Sequence, residues 1–165
     1  MIGNKVIIIG CSGSGKSYFA KELHRITSLP LFHLDKIYWK ENWELLTREE
    51  MVLEITKIAS NDRWIMDGNY SSTLELRISF ADTIFFLDMD EDLCIKSEKE
   101  RRGKKRDDFP SFLEEKEDPE FINFIKNFKW ECRPMILSLL NKYPKKQIII
   151  FKNREEIANW KNSFY

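Results

Sequence analysis

Gly10-Cys11-Ser12-Gly13-Ser14-Gly15-Lys16-Ser17 fits the pattern G-x-x-x-x-G-K-S, whose residue types and spacing suit the holding of a polyphosphate. Such a ligand needs many donors close together, so the backbone must wrap it with N–H groups turned inward. Gly10, Gly13 and Gly15 permit that close, partly left-handed path. Lys16 places an ammonium on the β- and γ-phosphates, and the Ser17 hydroxyl is the expected Mg²⁺ ligand. With Ser12, Ser14 and Tyr18 these residues form the expected nucleotide-binding set, and ATP and Mg²⁺ are the expected cofactors. Cys11, inside the loop, reads as a small tolerated residue rather than a catalytic thiol.

Carboxylates follow several of the later apolar runs. Asp67 ends Trp64-Ile65-Met66. It suits a metal held through water, or support of an acceptor beside the phosphates; an Asx-turn at Asp67-Gly68-Asn69 is the plainer alternative. Asp35 ends Leu31-Phe32-His33-Leu34 and could orient a substrate hydroxyl or take its proton; a cap or surface loop residue is the alternative. His33 reads as a packed or hydrogen-bonded strand residue. Asp88 and Asp90 sit where a helix starts, so capping accounts for both. Arg77 either reaches a substrate anion or lies on the surface. Trp39, with Tyr38 and Trp43, either stacks on a planar substrate or packs a cap over the fold. Between Lys96 and Arg106 the chain is strongly basic. Arg102 and Arg106 there suit a lid that closes over a transferring phosphoryl group and excludes water; a solvated helix face is the alternative. Arg133 could return to the site from the far side of that lid.

These residues need a scaffold, and the chain supplies five short apolar runs alternating with helical stretches. Lys5–Ile9, Leu31–Leu34, Arg63–Met66, Thr83–Leu87 and Gln147–Phe151 read as strands. Helices are expected over about 16–28, 48–60, 71–80, 90–102, 120–128, 131–143 and 155–164. Thr47 and Glu50 form a capping box before the second of these. The alternation predicts an α/β fold with a mostly parallel sheet, in which ligands lie beyond the carboxyl ends of the strands. Gly103 to Pro119 has no clear periodicity and is expected to be a loop.

Composition bounds the rest. A chain of 165 residues with 42% hydrophobic and 33% charged residues is most simply one domain, 1–165, with a substantial core. Lys plus Arg equals Asp plus Glu at 27 each, which offers no net-charge argument for direct nucleic-acid binding. The three cysteines match no metal spacing, and no apolar run approaches membrane-spanning length. No signal peptide opens the chain, and a cytoplasmic location is the expectation.

The phosphate loop, Asp67-Gly68, Thr83–Asp88 and an arginine-rich lid resemble adenylate kinase and related nucleotide kinases. A closer resemblance is to the bacterial topology modulation proteins. It is carried by His33-Leu34-Asp35-Lys36-Ile37-Tyr38-Trp39, Trp64-Ile65-Met66-Asp67-Gly68-Asn69-Tyr70, Arg77 before Ala81-Asp82, Arg102-Gly103-Lys104-x-Arg106-x-Asp108 and Arg133-Pro134-x-Ile136-Leu137. The resemblance implies a P-loop NTPase fold, a three-layer α/β/α arrangement whose five-stranded parallel sheet runs 2-3-1-4-5. It also implies a substrate-binding segment over about 35–60 and a helical lid over about 101–120. Where the group carries an earlier arginine in the helix before the lid, this chain reads Lys96-Ser97-Glu98.

The expected activity is transfer of the γ-phosphoryl of ATP to a small acceptor. Lys16, Asp35, Asp67, Arg102 and Arg106 form the expected catalytic set. Ser17 and Asp67 are the expected metal ligands, and Asp35, Trp39, Arg77 and Arg133 the expected acceptor contacts. A nucleoside monophosphate is the acceptor the resemblance favours, since its attacking oxygen is already anionic and needs arginines more than a base. A hydroxyl acceptor wants a carboxylate, which is what Asp35 offers. A nucleotide-binding regulator with weak turnover is the second reading, and a simple ATPase the third.

Overall fold

The computed structural model describes residues 1–110 and 118–164. Five parallel strands form its sheet: β1 (Lys5–Gly10), β2 (Leu31–His33), β3 (Trp64–Asp67), β4 (Thr83–Leu87) and β5 (Gln147–Phe151), in the order β2-β3-β1-β4-β5. The helices are α1 (Lys16–Thr27), α2 (Leu34–Tyr38), α3 (Arg48–Ala59), α4 (Leu74–Phe80), α5 (Glu91–Arg101), α6 (Pro119–Glu131), α7 (Arg133–Asn141) and α8 (Arg154–Asn162). This is the α/β P-loop NTPase architecture that the resemblance implies.

β1 shows why the sheet needs a helical layer on each face. Alternate strand residues point to opposite faces. Ile7 and Ile9 are buried with Met51 and Ile55 of α3, Ile78 of α4, and Ile136 and Leu140 of α7. Val6 and Ile8 are buried on the other side with Phe19, Ala20 and Leu23 of α1, where Trp160 of α8 also packs. Each of these four β1 side chains has no solvent exposure, so truncating one to alanine is worth roughly 2–5 kcal/mol of stability. The continuous apolar run of β1 is the pattern of a strand covered on both faces.

Local chemistry sets the element ends. The Thr47 hydroxyl accepts from the Glu50 N–H, and the Glu50 carboxylate accepts from the Thr47 N–H, completing the capping box. β2 stops one residue earlier than the sequence suggests, because Leu34 already opens α2. Asp35 therefore sits in the first turn of a helix rather than at a strand end. Neither Ser71 nor Ser72 caps α4 through its side chain; they belong to a 3₁₀ turn, Ser71–Thr73, that leads into it. Asp90 does cap α5, accepting from the Asp92 N–H. The loop expected after α5 is irregular over 103–110, and the middle of the expected lid, 111–117, lies outside the described residues. Among the described residues, no helix is long and apolar enough to cross a membrane.

Candidate functional site

The carboxyl end of β1 turns into the phosphate loop and then α1. The loop's conformation depends on glycine, most plainly at Gly13 and Gly15. Gly13 has φ 79°, and a Cβ there would stand 2.1 Å from the Cys94 carbonyl oxygen, so α5 presses the loop from behind. Gly15 has φ 95° with nothing within 4 Å of an added Cβ, which leaves open space on its outer side. α1 starts at once, and its first N–H groups have no partner within the helix, a site suited to an anion. Cys11 and Cys94 lie together behind the loop: a thiol–thiol hydrogen bond and burial raise Cys11, while the bond to Cys11 lowers Cys94. Ser14 is buried, and its hydroxyl has no partner among the described residues. Tyr18 is instead largely exposed on α1, with the Lys161 ammonium 5.5 Å from its ring centre.

Lys16 extends along the loop and donates to the Cys11 carbonyl at 2.8 Å. Burial pulls its ammonium below the usual lysine range, opposed first by the charge of Asp35. The Ser17 hydroxyl donates to Asp67 Oδ2 at 2.9 Å, and Asp67 Oδ1 lies 2.7 Å from His33 Nδ1. Strand pairing produces this contact: His33 is opposite Asp67 in the β2–β3 register, and Asp67 is opposite Ile8 of β1. Burial alone would lower the His33 imidazolium; the Asp67 hydrogen bond and charge outweigh it, and the net shift is upward. His33 is thus the hydrogen-bonded strand residue that its sequence context suggests.

Asp35 lies across a cleft of about 610 Å³ that also reaches Lys16. The Tyr70 hydroxyl donates to its Oδ1 at 2.5 Å. Burial raises the Asp35 carboxyl above the ordinary range, and the Tyr70 bond and the Lys16 charge offset only part of that rise. Trp39 lines the same cleft. Its ring meets Trp43 edge-on at 5.9 Å, and Trp43 in turn meets Phe109 at 6.4 Å. A bridge between Trp39 and Leu45 closes this aromatic loop, and Trp43 adopts φ 64° at its tip.

Arg102 and Arg106 line the cleft, as does Arg101. Arg106 grips Asp108 through two nitrogens, at 3.1 and 2.8 Å. Burial would raise Asp108, but the Arg106 bond and charge hold it well below the carboxylate range. Arg101 pairs with Glu98 and donates to the Ser12 hydroxyl at 2.8 Å, while Ser12 donates to Glu98 at 3.0 Å. Ser12 thereby ties the phosphate loop to the end of α5.

Two expected acceptor contacts do not reach the cleft. Arg77 is wholly buried, and its guanidinium donates to the carbonyls of Gly68 and Tyr70, both at 2.8 Å. Burial lowers it to about 10, which still leaves it charged at neutral pH. It braces the turn after β3. Arg133 forms a forked ion pair with Asp88, at 2.8 and 2.9 Å, and Lys152 joins the same carboxylate. Asp88 is therefore an ion-pair anchor and not a helix cap. Both arginines already have partners that a substrate would have to displace.

Sequence reading missed Glu98, Asn69, Tyr70, Phe109, Phe121 and Phe124, which also line the cleft. Asn69 and Tyr70 follow the Asp67-Gly68 turn directly, so their position beyond a strand end was the available signal. Glu98 and Arg101 are three residues apart on α5, a spacing that places both on one helix face.

A shikimate kinase from Acinetobacter baumannii, in complex with shikimate, superposes with a TM-score of 0.65 at 11% identity, covering 98% of this chain and 90% of that one. A shikimate kinase from Bacteroides thetaiotaomicron gives 0.55 at 17% identity, with 96% and 94% covered. A gluconokinase from Sinorhizobium meliloti gives 0.58 at 14% identity, with 99% and 90% covered. The P-loop kinase fold is shared. No family model matches the chain, and no curated protein matches it. The likeness extends to the fold and stops short of the topology modulation group.

Proposed function

We propose that this protein transfers the γ-phosphoryl of ATP to a hydroxyl group on a small acceptor. The observation that carries this reading is the convergence of Lys16 and Asp35 on one cleft, beside a glycine loop whose only strongly suited ligand is a polyphosphate. The structural neighbours named as shikimate kinase and gluconokinase are small-molecule kinases by name, and their fold agrees with it.

The residues present fit the cofactors. Gly15 leaves open space, Ser14 offers an unpartnered hydroxyl, and α1 supplies free N–H groups for phosphate oxygens. Ser17 and Asp67 would hold Mg²⁺, a cation that takes one or two protein oxygens and completes its shell with water and phosphate. The ion, when bound, neutralises charge between the β- and γ-phosphates.

The chain's own groups then divide the work. Lys16 offsets negative charge on the phosphates, and its depressed ammonium is stabilised by that same charge. Asp35 orients the acceptor hydroxyl and receives its proton. The hydroxyl oxygen forms a bond to the γ-phosphorus as the bond from that phosphorus to the β–γ bridging oxygen breaks, and ADP leaves. Tyr70 fixes the Asp35 carboxylate through one oxygen and leaves the other for substrate. Arg101, Arg102 and Arg106 cover the transferring group, and the segment over about 101–120 is proposed to act as the lid.

A nucleoside monophosphate is the rival acceptor within the kinase reading. The buried engagement of Arg77 and the Arg133–Asp88 pair weigh against it, since both arginines expected to hold the acceptor phosphate are spoken for. A topology-modulating regulator finds no distinct feature in the cleft. The test is ADP formation from ATP and Mg²⁺ with and without hydroxyl acceptors. Acceptor-stimulated turnover that disappears in Lys16→Ala supports the kinase. ADP formation at one rate with or without any acceptor overturns it in favour of a plain ATPase.

A further inference from the structure

We propose that the acceptor is an uncharged molecule combining a planar ring with a free hydroxyl, the chemistry of a nucleoside, seated against Trp39 with its ring edge read by Asn69. This rests on the hydroxyl-kinase reading above and adds the class of the acceptor.

The two walls of the cleft differ in charge. Between residues 35 and 72, the lining side chains are Trp39, Trp43, Leu45, Met51, Asn69 and Tyr70, together with Asp35, Ser71 and Ser72. Asp35 is the one carboxyl in that described set. No lysine or arginine of this wall lines the cleft. Arg101 ends α5, and Arg102 and Arg106 follow it; the Arg106 guanidinium, gripped by Asp108, lies 5.0 Å from the ring centre of Phe109. An acceptor carboxylate or phosphate placed there would meet the Asp35 carboxyl with no lysine or arginine from residues 35–72 to offset it, and the neighbouring Arg106 is already committed to Asp108. An acceptor without charge meets no such repulsion.

The shape of the wall favours a ring. Trp39 and Trp43 present indole surface, and Phe109 continues it. Aromatic faces accept a flat ring by offset stacking or edge contact. Phe121 and Phe124, stacked at 6.3 Å on α6, line the cleft from another side. A cleft of about 610 Å³ falls within the size of a small-molecule site.

One polar atom is left to read the ring. Asn69 Oδ1 is buried and has no hydrogen-bond partner among the described residues. A buried acceptor of this kind is costly unless a ligand supplies a donor. A ring N–H or exocyclic amino group supplies one. Asn69 follows Asp67-Gly68 and precedes Tyr70, so the same turn that fixes Asp35 through Tyr70 also presents Asn69. The transfer itself is unchanged: a new bond joins the nucleoside hydroxyl oxygen to the γ-phosphorus, ADP departs, and the proton passes to Asp35.

The experiment measures ADP formation with adenosine, guanosine, cytidine, uridine and thymidine, with their 5′-monophosphates, and with shikimate and gluconate. It is run on the full chain and on Trp39→Ala, Trp39→Phe, Asn69→Ala and Lys16→Ala. The expected result is Lys16-dependent stimulation by at least one nucleoside, at a KM at least roughly tenfold below that of its monophosphate. Trp39→Ala should raise that KM roughly tenfold, with a smaller change in kcat, as loss of a base-stacking surface does; Trp39→Phe should recover most of it. Asn69→Ala should narrow the preference among bases. Stimulation by monophosphates, shikimate or gluconate and by no nucleoside would overturn the acceptor class and leave the kinase standing. A nucleoside response indifferent to both Trp39→Ala and Asn69→Ala would overturn the placement. Absence of any stimulated, Lys16-dependent turnover would overturn the kinase reading along with it.

Discussion

The two walls of the cleft are built on opposite principles. On the phosphate side most of the polar groups described already have a protein partner, Lys16 with Cys11, Ser17 with Asp67, Ser12 with Glu98 and Arg101, and Arg106 with Asp108, while Ser14 Oγ has none among the described residues. On the acceptor side the surface is aromatic, has Asp35 as its one carboxyl, and leaves Asn69 Oδ1 unpartnered among the described residues. A polyphosphate can be bound by exchanging one charged partner for another, so a prepaired wall suits it. A neutral acceptor has to be recognised by shape and by a few hydrogen bonds, so an unpaired polar atom on an apolar wall suits that role. Under the proposed function the contrast divides the work: energy for holding ATP on one wall, choice of acceptor on the other.

The sharpest way to break this division is at the one carboxyl on the acceptor wall. Asp35→Asn keeps the shape and removes the proton acceptor, and kcat with a hydroxyl acceptor should fall by roughly 10²–10⁴-fold while acceptor binding persists. In the wild type the acid limb of kcat should lie above the usual carboxylate range, because burial raises Asp35 and the base must be ionised to act. Steady-state kinetics across pH checks both; an unshifted limb that survives in Asp35→Asn would remove the base from its role. On the phosphate wall, Lys16→Ala should lower kcat by about 10²–10³-fold, and this loss should be the same whichever acceptor is supplied.

Arg77 sharpens the comparison from outside the cleft. Arg77→Met strips the carbonyls of Gly68 and Tyr70 of their donor, and an unmade buried hydrogen bond costs roughly 1–3 kcal/mol. The expected outcome is a lower denaturation midpoint with ATP affinity nearly unchanged, since the effect falls on the turn that presents Asn69 and Tyr70. Chemical denaturation and ATP titration separate the two. A variant with intact stability and lost acceptor phosphate binding would restore Arg77 as a substrate contact.

The smallest effect belongs to His33. Its pKa is raised in the folded protein above the ordinary 6.5, so the stabilisation from the His33–Asp67 pair is fully present below that value. It is lost as pH rises through the higher folded pKa. The gap in thermal midpoint between wild type and His33→Gln should be widest in mild acid and should narrow toward alkaline pH. A gap that widens with pH would reverse the sign of the link.

The phosphate wall was legible in the sequence because its chemistry is contiguous. Gly10 through Ser17 lie in one run, and strand alternation placed Asp67 beside them. The capping box at Thr47 and Glu50 was equally local. The acceptor wall was legible only in part: Asp35 and Trp39 were expected there, but Asn69 and Phe109 come to the same cleft only after the chain has crossed the sheet. The misplaced arginines share one cause. Arg77 and Arg133 carry the right charge near the right elements, but whether a guanidinium turns to solvent, to a cleft or to a buried carbonyl depends on tertiary contacts that spacing does not encode. The end of β2 was misjudged for a simpler reason: Leu34 serves an apolar strand or an apolar first turn of a helix equally well.

The central claim is that the acceptor oxygen is a hydroxyl activated at Asp35. Phosphorus-31 NMR of the product formed from ATP, Mg²⁺ and an equimolar mixture of nucleosides and their monophosphates tests it most directly. The account predicts that phosphate monoester intensity grows above that of the supplied monophosphates in step with ADP, with no such growth in Asp35→Asn and Lys16→Ala. Loss of the supplied monoester intensity, with growth of non-adenine nucleoside diphosphate resonances, would contradict it.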